Sequence, residues 1–473
     1  MPEASADATG GAVAAAGATV TTTSAAIAAV PSPSSRLLTG PILSTLLRLA
    51  VPNVLAMMVA VVVGMTETYY IGVLGTEPLA AMAVVFPFVM LTQMLSSGAM
   101  GGGVSSAISR ALGGNDQRRA RSLAWHAVAI GLAVGVVYST LLVLFAAPML
   151  SLLGARGPVL ELALTYAIPL FSGAFLIWLM NTLASVLRGS GDMVVPSVVI
   201  FAAALLQVAI GGILGLGLGP MPRWGLPGVA TGQIVASAVA VGVFAWYLKR
   251  HGARVRPTLA GGRPQAGLFA AILRVGALAC LSPLQTVVAM LIFTGLIARL
   301  GVPALAGYGI GQRLEFILIP ISFGIGVASV PMVGMAMGAG NVDRARRVAW
   351  TAASVSALML GLIGVTLAVM PELWTRWFTT SIEVRTIADH YLQVVGPAFA
   401  LFGFGLTLYF ASQGSGKVLG PVLAATLRLV LIAVGGAWLA AAGTGVEGYF
   451  WLVAAGMALY GLATAAAVRA TRW

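Results

Sequence analysis

Long apolar runs dominate this chain and limit the folds that it can adopt. Runs of roughly 20 residues or more, the length that crosses the hydrocarbon core of a bilayer, recur between about residue 44 and residue 468 with short polar breaks. Charged residues make up only 8% of the 473 residues, so the chain lacks the polar surface that a water-soluble globule needs. The apolar–polar alternation of membrane β-barrels is absent from these runs. The sequence therefore predicts an all-α integral membrane protein.

The polar breaks divide the apolar sequence into twelve predicted helices. They lie near residues 44–71, 78–110, 118–147, 158–187, 194–217, 226–249, 268–299, 304–337, 344–370, 382–412, 418–441 and 446–468. We assign residues 41–250 to an N-terminal six-helix lobe and residues 267–473 to a C-terminal six-helix lobe, with a cytoplasmic linker at 251–266. Residues 1–40 begin with an Ala-, Thr-, Ser- and Pro-rich tract that lacks the basic start of a signal peptide. We expect them to form a disordered cytoplasmic tail.

The positions of the basic residues show whether the positive net charge indicates a nucleic-acid partner or a membrane topology. A formal net charge of +13 could by itself indicate a nucleic-acid partner. Most Lys and Arg residues, however, lie in loops and helix ends on the side of the amino terminus, with clusters at 118–121, 249–256 and 344–347. This asymmetry follows the positive-inside rule. We therefore expect a multi-pass protein of the bacterial inner (plasma) membrane, with both termini cytoplasmic and no nucleic-acid partner.

The two lobes repeat one another in sequence. Identical residues recur 225 positions apart; the pairs are Arg119 and Arg344, Ala120 and Ala345, Arg121 and Arg346, Trp125 and Trp350, Tyr166 and Tyr391, and Pro196 and Pro421. Leu74–Gly75 reappears as Leu300–Gly301 with a one-residue slip. Six helices per lobe start both lobes on the same side, so they are parallel repeats around a central cavity. Rocking of such halves is a standard route to alternating access, and the repeat therefore predicts transport.

Several short motifs in a fixed order carry a resemblance to a known family. The motifs are Leu49-Ala50-Val51-Pro52, Glu67-Thr68 before Gly72-Val73-Leu74-Gly75, Leu187-Arg188-Gly189-Ser190-Gly191-Asp192, Arg313-Leu314-Glu315 and Gly338-Ala339-Gly340-Asn341. Over roughly residues 40 to 470 the chain resembles the multidrug and toxic compound extrusion (MATE) transporters of the flippase-like exporter superfamily. The resemblance implies secondary active export of small molecules.

Two departures from the family pattern bear on the coupling ion. The family usually has Asp where this chain has Glu67, and it often has Asn and then Asp in the fifth helix where this chain has Gln207 and Gly211. The main apolar runs of the seventh and tenth predicted helices also lack the acidic residues that one branch links to sodium. The chain is therefore most similar to the DinF-like, proton-coupled branch.

Carboxylates at membrane depth are the leading candidates for coupling. Of thirteen acidic residues, we expect only Glu67 and Glu315 to lie within the bilayer, because the others fall in tails, loops or helix ends. Ionised groups there are costly and usually face a cavity, a partner or a proton path. We expect Glu67 to take and release the coupling proton, with Asn181 and Gln207 bonded to its carboxyl. The alternatives are an outer-interface carboxylate for Glu67 and a polar clasp between helices for the two amides.

The C-terminal lobe offers three further candidates, which are Arg313, Glu315 and Arg428. Arg313 and Glu315 are two residues apart, so on a helix they point in different directions and cannot pair well. We expect Glu315 to form a structural ion pair with Arg428 on the eleventh helix. The alternative is a second coupling site or a site that contacts the substrate.

The remaining residues give no pattern for a cofactor, a metal or an enzyme active site. The chain has one cysteine and three histidines, and His126, His251 and His390 are far apart in the sequence. Gly414-Ser415-Gly416-Lys417 lacks the first glycine and the final hydroxyl of a phosphate-binding loop. We expect no cofactor, no metal and no enzymatic activity.

Three functions stay open at this point. The leading hypothesis is a monomeric antiporter that exchanges protons, or sodium ions, for an outgoing amphipathic or cationic compound. A flippase for lipid-linked precursors is the second, and it would need a strongly basic central cavity. The third is a membrane enzyme or receptor without transport.

Overall fold

The computed structural model describes residues 37–250, 255–258, 263–471 and 473, and all regular secondary structure in them is helical. Twelve helices or bent helix pairs are long and apolar enough to cross a membrane. In the N-terminal lobe they are α1 (Ile42–Leu74), α2 (Thr76–Gly113), α3 (Gln117–Leu144), α4 (Gly157–Ser172 with Ala174–Gly189), α5 (Val194–Leu216) and α6 (Leu226–Arg250). In the C-terminal lobe they are α7 (Ala266–Ala298), α8 (Val302–Gly338), α9 (Val342–Val369), α10 (Ile382–Ser415), α11 (Leu419–Ala441) and α12 (Val446–Ala470). The predicted twelve-helix, all-α fold is confirmed if α4, which bends by 42°, is one span.

The helix boundaries repeat between the lobes along with the sequence. The side chain of Asp116 caps α3 by accepting a hydrogen bond from the backbone N–H of Arg119 at 2.8 Å. Asn341, 225 residues later, caps α9 in the same way through the N–H of Arg344 at 2.9 Å. A side-chain oxygen at this position satisfies one of the unpaired N–H groups of the first helical turn. The two lobes therefore use the same local device to start their third helix.

One irregular turn explains the one-residue slip of the repeat. Residues Met94–Met100 of α2 form a π-helical segment, and such a segment accommodates a single extra residue inside an α-helix. Up to this segment, a residue of the N-terminal lobe corresponds to the residue 226 positions later, as Gly98 does to Gly324. After the segment the offset is 225, as for Gly101 and Gly326. The wide turn therefore holds the residue by which α2 exceeds α8.

The lobes pack on each other through α1, α2, α7 and α8. Contacts of α1 with α8 are matched by contacts of α2 with α7, while α2 and α8 cross each other at the centre of the interface. We call the ends of α2 and α8 at Gly113 and Gly338 the inner ends, and the opposite ends at Gly75 and Gly301 the outer ends. Every residue of α8 from Ser322 to Ala336 is buried, whereas its outer half exposes one face. The interface between the lobes is therefore closed at the inner ends.

The segment before α1 is attached to the C-terminal lobe. Leu37 is buried among side chains of that lobe, and the guanidinium of Arg344 donates to the carbonyl oxygens of Leu37 at 3.0 Å and Gly40 at 2.7 Å. Residues 37–40, which the sequence analysis assigned to the tail, are therefore held in place. The rest of the predicted tail, and residues 251–254 and 259–262 of the predicted linker, lie outside the described residues.

Candidate functional site

Glu67 is buried in the N-terminal lobe with an amide as its partner. Its side chain, on α1, is 7% exposed, and the Nε2 of Gln207 on α5 donates to its Oε1 at 2.8 Å. Within the described parts of the chain, no basic side chain lies within 4.0 Å of this carboxyl. The expectation that Gln207 bonds to Glu67 therefore agrees with the geometry, and Glu67 does not reach an open surface.

The pairing of a carboxyl with a primary amide can serve two protonation states. The amide offers N–H donors to an ionised carboxylate and a carbonyl acceptor to a protonated carboxyl group. Without a nearby cation, the ionised form in this apolar setting carries a desolvation penalty. The pair can therefore bind and release a proton while keeping a hydrogen bond.

Asn181 occupies a different place from the one that the sequence analysis gave it. Its Nδ2 donates to Gln93 Oε1 at 3.2 Å and to Ser96 Oγ at 2.8 Å; on α2, Gln93 immediately precedes the π-helical segment and Ser96 lies within it. Asn181 stands in the inner part of α4, whereas Glu67 lies toward the outer end of α1, so the two are at different depths. The expected bond from Asn181 to Glu67 is corrected, and Asn181 is a polar clasp between α4 and α2.

Glu315, which is half-buried, forms a second carboxyl site, and its partner is a tyrosine. The hydroxyl of Tyr391 on α10 donates to Glu315 Oε1, and Tyr391 is fully buried. The ring of Tyr391 packs edge-on against Tyr308 at 5.7 Å between centroids, and Gln312 Nε2 donates to the Tyr308 hydroxyl at 2.9 Å. The polar groups around Glu315 are thus aromatic hydroxyls and an amide.

The other two candidates of the C-terminal lobe form no ion pair with Glu315 within 4.0 Å, although Arg428 is close enough for its charge to act on Glu315. The expected ion pair between Glu315 and Arg428 is absent: among the described residues, the one salt bridge within 4.0 Å joins His390 and Glu447. The Arg428 guanidinium instead lies 5.4 Å from the ring centroid of Phe402. Arg313 is exposed and lies 5.4 Å from the ring centroid of Phe378. Each arginine therefore stacks on an aromatic ring, and the hydrogen-bond partner of Glu315 is Tyr391.

The inner closure between the lobes rests on two reciprocal glycines. A Cβ on Gly113 of α2 would lie 2.1 Å from the carbonyl oxygen of Met335 on α8, and a Cβ on Gly338 of α8 would lie 2.0 Å from that of Arg110 on α2. Gly113 corresponds to Gly338 in the repeat, and Arg110 corresponds to Met335. The two helices therefore cross with backbone against backbone, in the same way from each side.

Arg110 adds hydrogen bonds between the lobes beside this helix crossing. Its Nη1 donates to the carbonyl oxygen of Gly414 at 3.1 Å and to the hydroxyl of Ser106, and Ser106 in turn donates to the carbonyl oxygen of Gln413. A cation near the last carbonyls of a helix is favourably placed. An arginine of the N-terminal lobe thus holds the end of α10 in the C-terminal lobe.

A second contact across the interface lies deeper. Asn53 on α1 donates through Nδ2 to the carbonyl oxygen of Gly324 on α8 at 3.3 Å, and it accepts at Oδ1 from Arg188 Nη2 on α4, also at 3.3 Å. The sequence analysis assigned no role to Asn53, Arg110 or Arg188. Gly113 and Gly338, which are 225 residues apart and so correspond in the repeat, were a signal in the sequence that could have located this interface.

The described residues contain no group of three or more His, Cys, Asp or Glu side chains that could hold a metal ion. His126 lies instead in a structural position: its Nδ1 is 2.7 Å from the carbonyl oxygen of Ser122, and its Nε2 accepts from the N–H of Gln265 at 3.0 Å. This bonding joins α3 to the residue before α7. The polar chemistry of the molecule is therefore concentrated in the two carboxyl sites and the interface between the lobes.

Comparison with known proteins agrees with this architecture. The MatE family matches residues 52–213 and 279–439, one segment in each lobe. The FAD transporter of Shewanella oneidensis is 26% identical over 413 residues, which cover 87% of this chain and 90% of that protein. The probable multidrug resistance protein NorM of Thermotoga maritima is 25% identical over 80% of this chain and 81% of its own length.

A solved structure has the same fold. A MOP superfamily transporter from Pyrococcus furiosus superposes with a TM-score of 0.85 at 23% identity, covering 92% of this chain and 96% of its own. Its two-lobed helical fold and the family match in both lobes lead to the same conclusion. This chain belongs to the MatE family and is a multi-pass membrane transporter, not an enzyme.

Proposed function

We propose that this transporter exports amphipathic or cationic small molecules in exchange for protons, from an inner membrane in which both of its termini are cytoplasmic. The observation that carries the proposal is the buried pair of Glu67 and Gln207, a carboxyl that has an amide partner and no cation within 4.0 Å among the described residues. Its two protonation states differ by one charge in an apolar setting. Proton binding removes the charge of Glu67 and therefore favours the conformation in which its carboxyl is buried.

The energy source is an ion gradient. Each proton that crosses a potential of 100 mV supplies about 2.3 kcal/mol, to which any pH difference adds. In this cycle Glu67 loses its proton on the inner side, the lobes close over substrate, and the outer opening releases the substrate as Glu67 takes a new proton. The closed inner ends of α2 and α8 correspond to the outward-facing stage.

The test is proton release from purified protein in liposomes when the lipophilic cation ethidium is added. Wild type is expected to release protons, and Glu67→Gln is expected to fold and release none. Glu77→Gln is the matched control because Glu77 is exposed at the start of α2. If Glu67→Gln releases protons as wild type does, Glu67 is not the coupling group.

A second candidate is export of an anionic dinucleotide. It is favoured by the relative named FAD transporter, which is similar over 90% of its length. Counterflow of labelled FAD in the same liposomes separates the candidates, because a FAD exporter exchanges FAD whether or not ethidium causes proton release.

A lipid-precursor flippase has less support, since Arg313 and Arg428 stack on separate aromatic rings and do not converge on a phosphate site.

A further inference from the structure

Arg188 is a buried cation that lacks a counter-ion. Its side chain, near the inner end of α4, is 4% exposed, and a guanidinium keeps its charge in proteins. No carboxylate among the described residues lies within 4.0 Å of it. Buried charges in proteins are normally paired, because an isolated charge in an apolar interior carries a large desolvation penalty. Arg188 therefore needs a negative partner that the described part of the chain does not provide.

The neutral groups around Arg188 leave part of the guanidinium unbonded. Nη2 donates to Asn53 Oδ1 at 3.3 Å, while Nε is buried and has no hydrogen-bond partner among the described residues. The carbonyls at the end of its own helix are already occupied. Val186 and Leu187 accept from the N–H of Ser190 at 3.2 and 3.0 Å. One donor of a permanent cation is therefore free inside the protein.

A small cavity lies against this arginine. Its volume is about 10 Å³, and Ser97, Ser105, Ser185 and Arg188 from the N-terminal lobe line it together with Val327 and Val330 from the C-terminal lobe. A volume of this size holds roughly one water-sized particle. The occupant is therefore small, and it lies between the two lobes.

The chemistry of the lining favours a negative occupant. The hydroxyls of Ser97 and Ser185 donate to the carbonyl oxygens of Gln93 and Asn181 at 2.7 Å each. The hydroxyl of Ser105 is buried with no partner among the described residues. The cavity thus combines a free hydroxyl donor with a permanent positive charge, and no carboxylate lines it. A water could fill the space, but it would leave the charge of Arg188 uncompensated.

The two lobes contribute unequally to this cavity. In the repeat, Arg188 corresponds to Gln413, and Ser105 corresponds to Val330. Among the side chains that line the cavity, the charge and the free hydroxyl therefore belong to the N-terminal lobe, and the C-terminal lobe contributes Val327 and Val330. Separation of the inner ends of α2 and α8 would uncover Arg188.

We propose that the cavity between Arg188, Ser105 and Val330 binds a single monatomic anion of the size of chloride, and that this anion stabilises the conformation in which the inner ends are closed. The argument uses the charge and the geometry of the interface and does not depend on proton coupling or on the identity of the substrate. A ligand that binds the closed form alone raises its stability in proportion to its occupancy.

The test is the thermal stability of the purified full chain, titrated with sodium chloride against sodium gluconate at constant ionic strength. We expect a saturable rise of the melting temperature with chloride and with bromide, and none with gluconate. Ser105→Ala is expected to raise the half-saturating chloride concentration about tenfold, since one hydrogen bond to an ion is lost. Arg188→Gln, which copies the residue of the other lobe, is expected to abolish the response.

Ser197→Ala is the matched control, because Ser197 is also buried without a hydrogen-bond partner among the described residues but does not line the cavity. It is expected to titrate as wild type does. If Arg188→Gln does not fold, the comparison of the chloride titrations of Ser105→Ala and Ser197→Ala still tests whether the cavity binds the anion. Equal stability in chloride and gluconate, or equal titration of the two serine variants, would overturn the proposal, as would a bromide-soaked crystal without an anomalous peak beside Arg188.

Discussion

Each lobe has one candidate carboxyl, buried for Glu67 and half-buried for Glu315, but at positions that the repeat does not relate. In the N-terminal lobe Glu67 on α1 bonds to Gln207 on α5. The corresponding residues of the C-terminal lobe are Phe293 and Ile432, and both lie in an apolar cluster. In the other direction, Glu315 on α8 corresponds to Val89 on α2, which packs against an apolar cluster. The repeat therefore determines the scaffold, while each lobe carries its polar chemistry at a different place.

This difference leads to unequal roles for the two carboxyls. Glu67 has a flexible amide partner that can serve either protonation state, whereas Glu315 accepts from the fully buried Tyr391. A phenol hydroxyl can also donate or accept, but the ring of Tyr391 packs edge-on against Tyr308 and Phe450, so its hydroxyl is a less mobile partner than the amide of Gln207. We infer that the N-terminal lobe couples transport to protons and that Glu315 holds α8 to α10.

The largest expected effect compares the two carboxyls directly. Glu67→Gln is expected to reduce proton-driven transport in liposomes to the rate of protein-free vesicles, because the glutamine cannot exchange a proton. Glu315→Gln is expected to retain proton-driven transport and to unfold at a lower temperature, since the bond from Tyr391 is weakened. A loss of transport in Glu315→Gln at unchanged thermal stability would contradict the unequal roles.

The next effect tests the part of the interface where the lobes are equivalent. Gly113→Ala and Gly338→Ala are each expected to lower the free energy of unfolding by roughly 1 to 3 kcal/mol, because the added methyl group meets backbone atoms of the other lobe. The measurement is denaturation of the purified protein in detergent. Gly242→Ala is the control, since nothing lies within 4 Å of a Cβ there. Destabilisation by only one of the two substitutions would show that the crossing is not reciprocal.

A smaller effect separates a functional amide from a structural one. Gln207→Leu is expected to lower the initial transport rate about tenfold, because the loss of a hydrogen bond to an ionisable group costs about 1.5 kcal/mol. Gln285 on α7, which donates to Thr426 on α11 at 2.7 Å, bridges the corresponding helix pair of the other lobe. Gln285→Leu is expected to cost about 0.6 kcal/mol of stability and to leave the rate unchanged. Equal rates for the two variants would remove Gln207 from the coupling site.

The smallest effect concerns the helix starts that the lobes share. Asp116→Ala and Asn341→Ala are each expected to destabilise the first turn of α3 or α9 by about 1 kcal/mol through loss of the cap. Hydrogen exchange of the backbone amides in these turns, followed by mass spectrometry, measures the effect. Gln117→Ala, at an exposed neighbouring position, is the control. Faster exchange after only one cap substitution would mean that the two turns are held differently.

Much of the fold could be predicted from the sequence because lipid imposes a simple rule on it. Long apolar runs must be helices, and the repeat of Arg119 to Trp125 at an offset of 225 requires two related lobes. The pairing of Glu67 with Gln207 could also be anticipated, since few polar groups share that depth. These features depend on the hydrophobicity and spacing of residues, which the sequence displays directly.

The contacts of Asn181, Glu315 and Arg188 could not be predicted because they depend on how each helix is rotated and at what depth it lies. The predicted helix bounds already place Glu67 near the outer end of the first helix and Asn181 near the inner end of the fourth, so the expected bond between them could have been rejected from the sequence. The bonds that Asn181 makes to Gln93 and Ser96 instead depend on the rotation of α4 against α2. Glu315 has Tyr391 as its partner, although charge alone favours Arg428. Arg188 stands at a helix end, where the positive-inside rule already accounts for a basic residue, so no sequence pattern indicates that it is buried.

The wide turn at Met94–Met100 decouples the two halves of α2. One extra residue in a regular α-helix would advance every later side chain by about 100° around the axis. The wide π-helical turn takes up the extra residue without this rotation. The side chains of the outer half of α2 therefore point as the α8 residues 226 positions later do, and those of the inner half as the α8 residues 225 positions later do. Deletion of one residue there would make α2 as regular as α8. The extra residue in α2 is consequently accommodated without disturbing the close backbone contact of Gly113 with Met335 on α8.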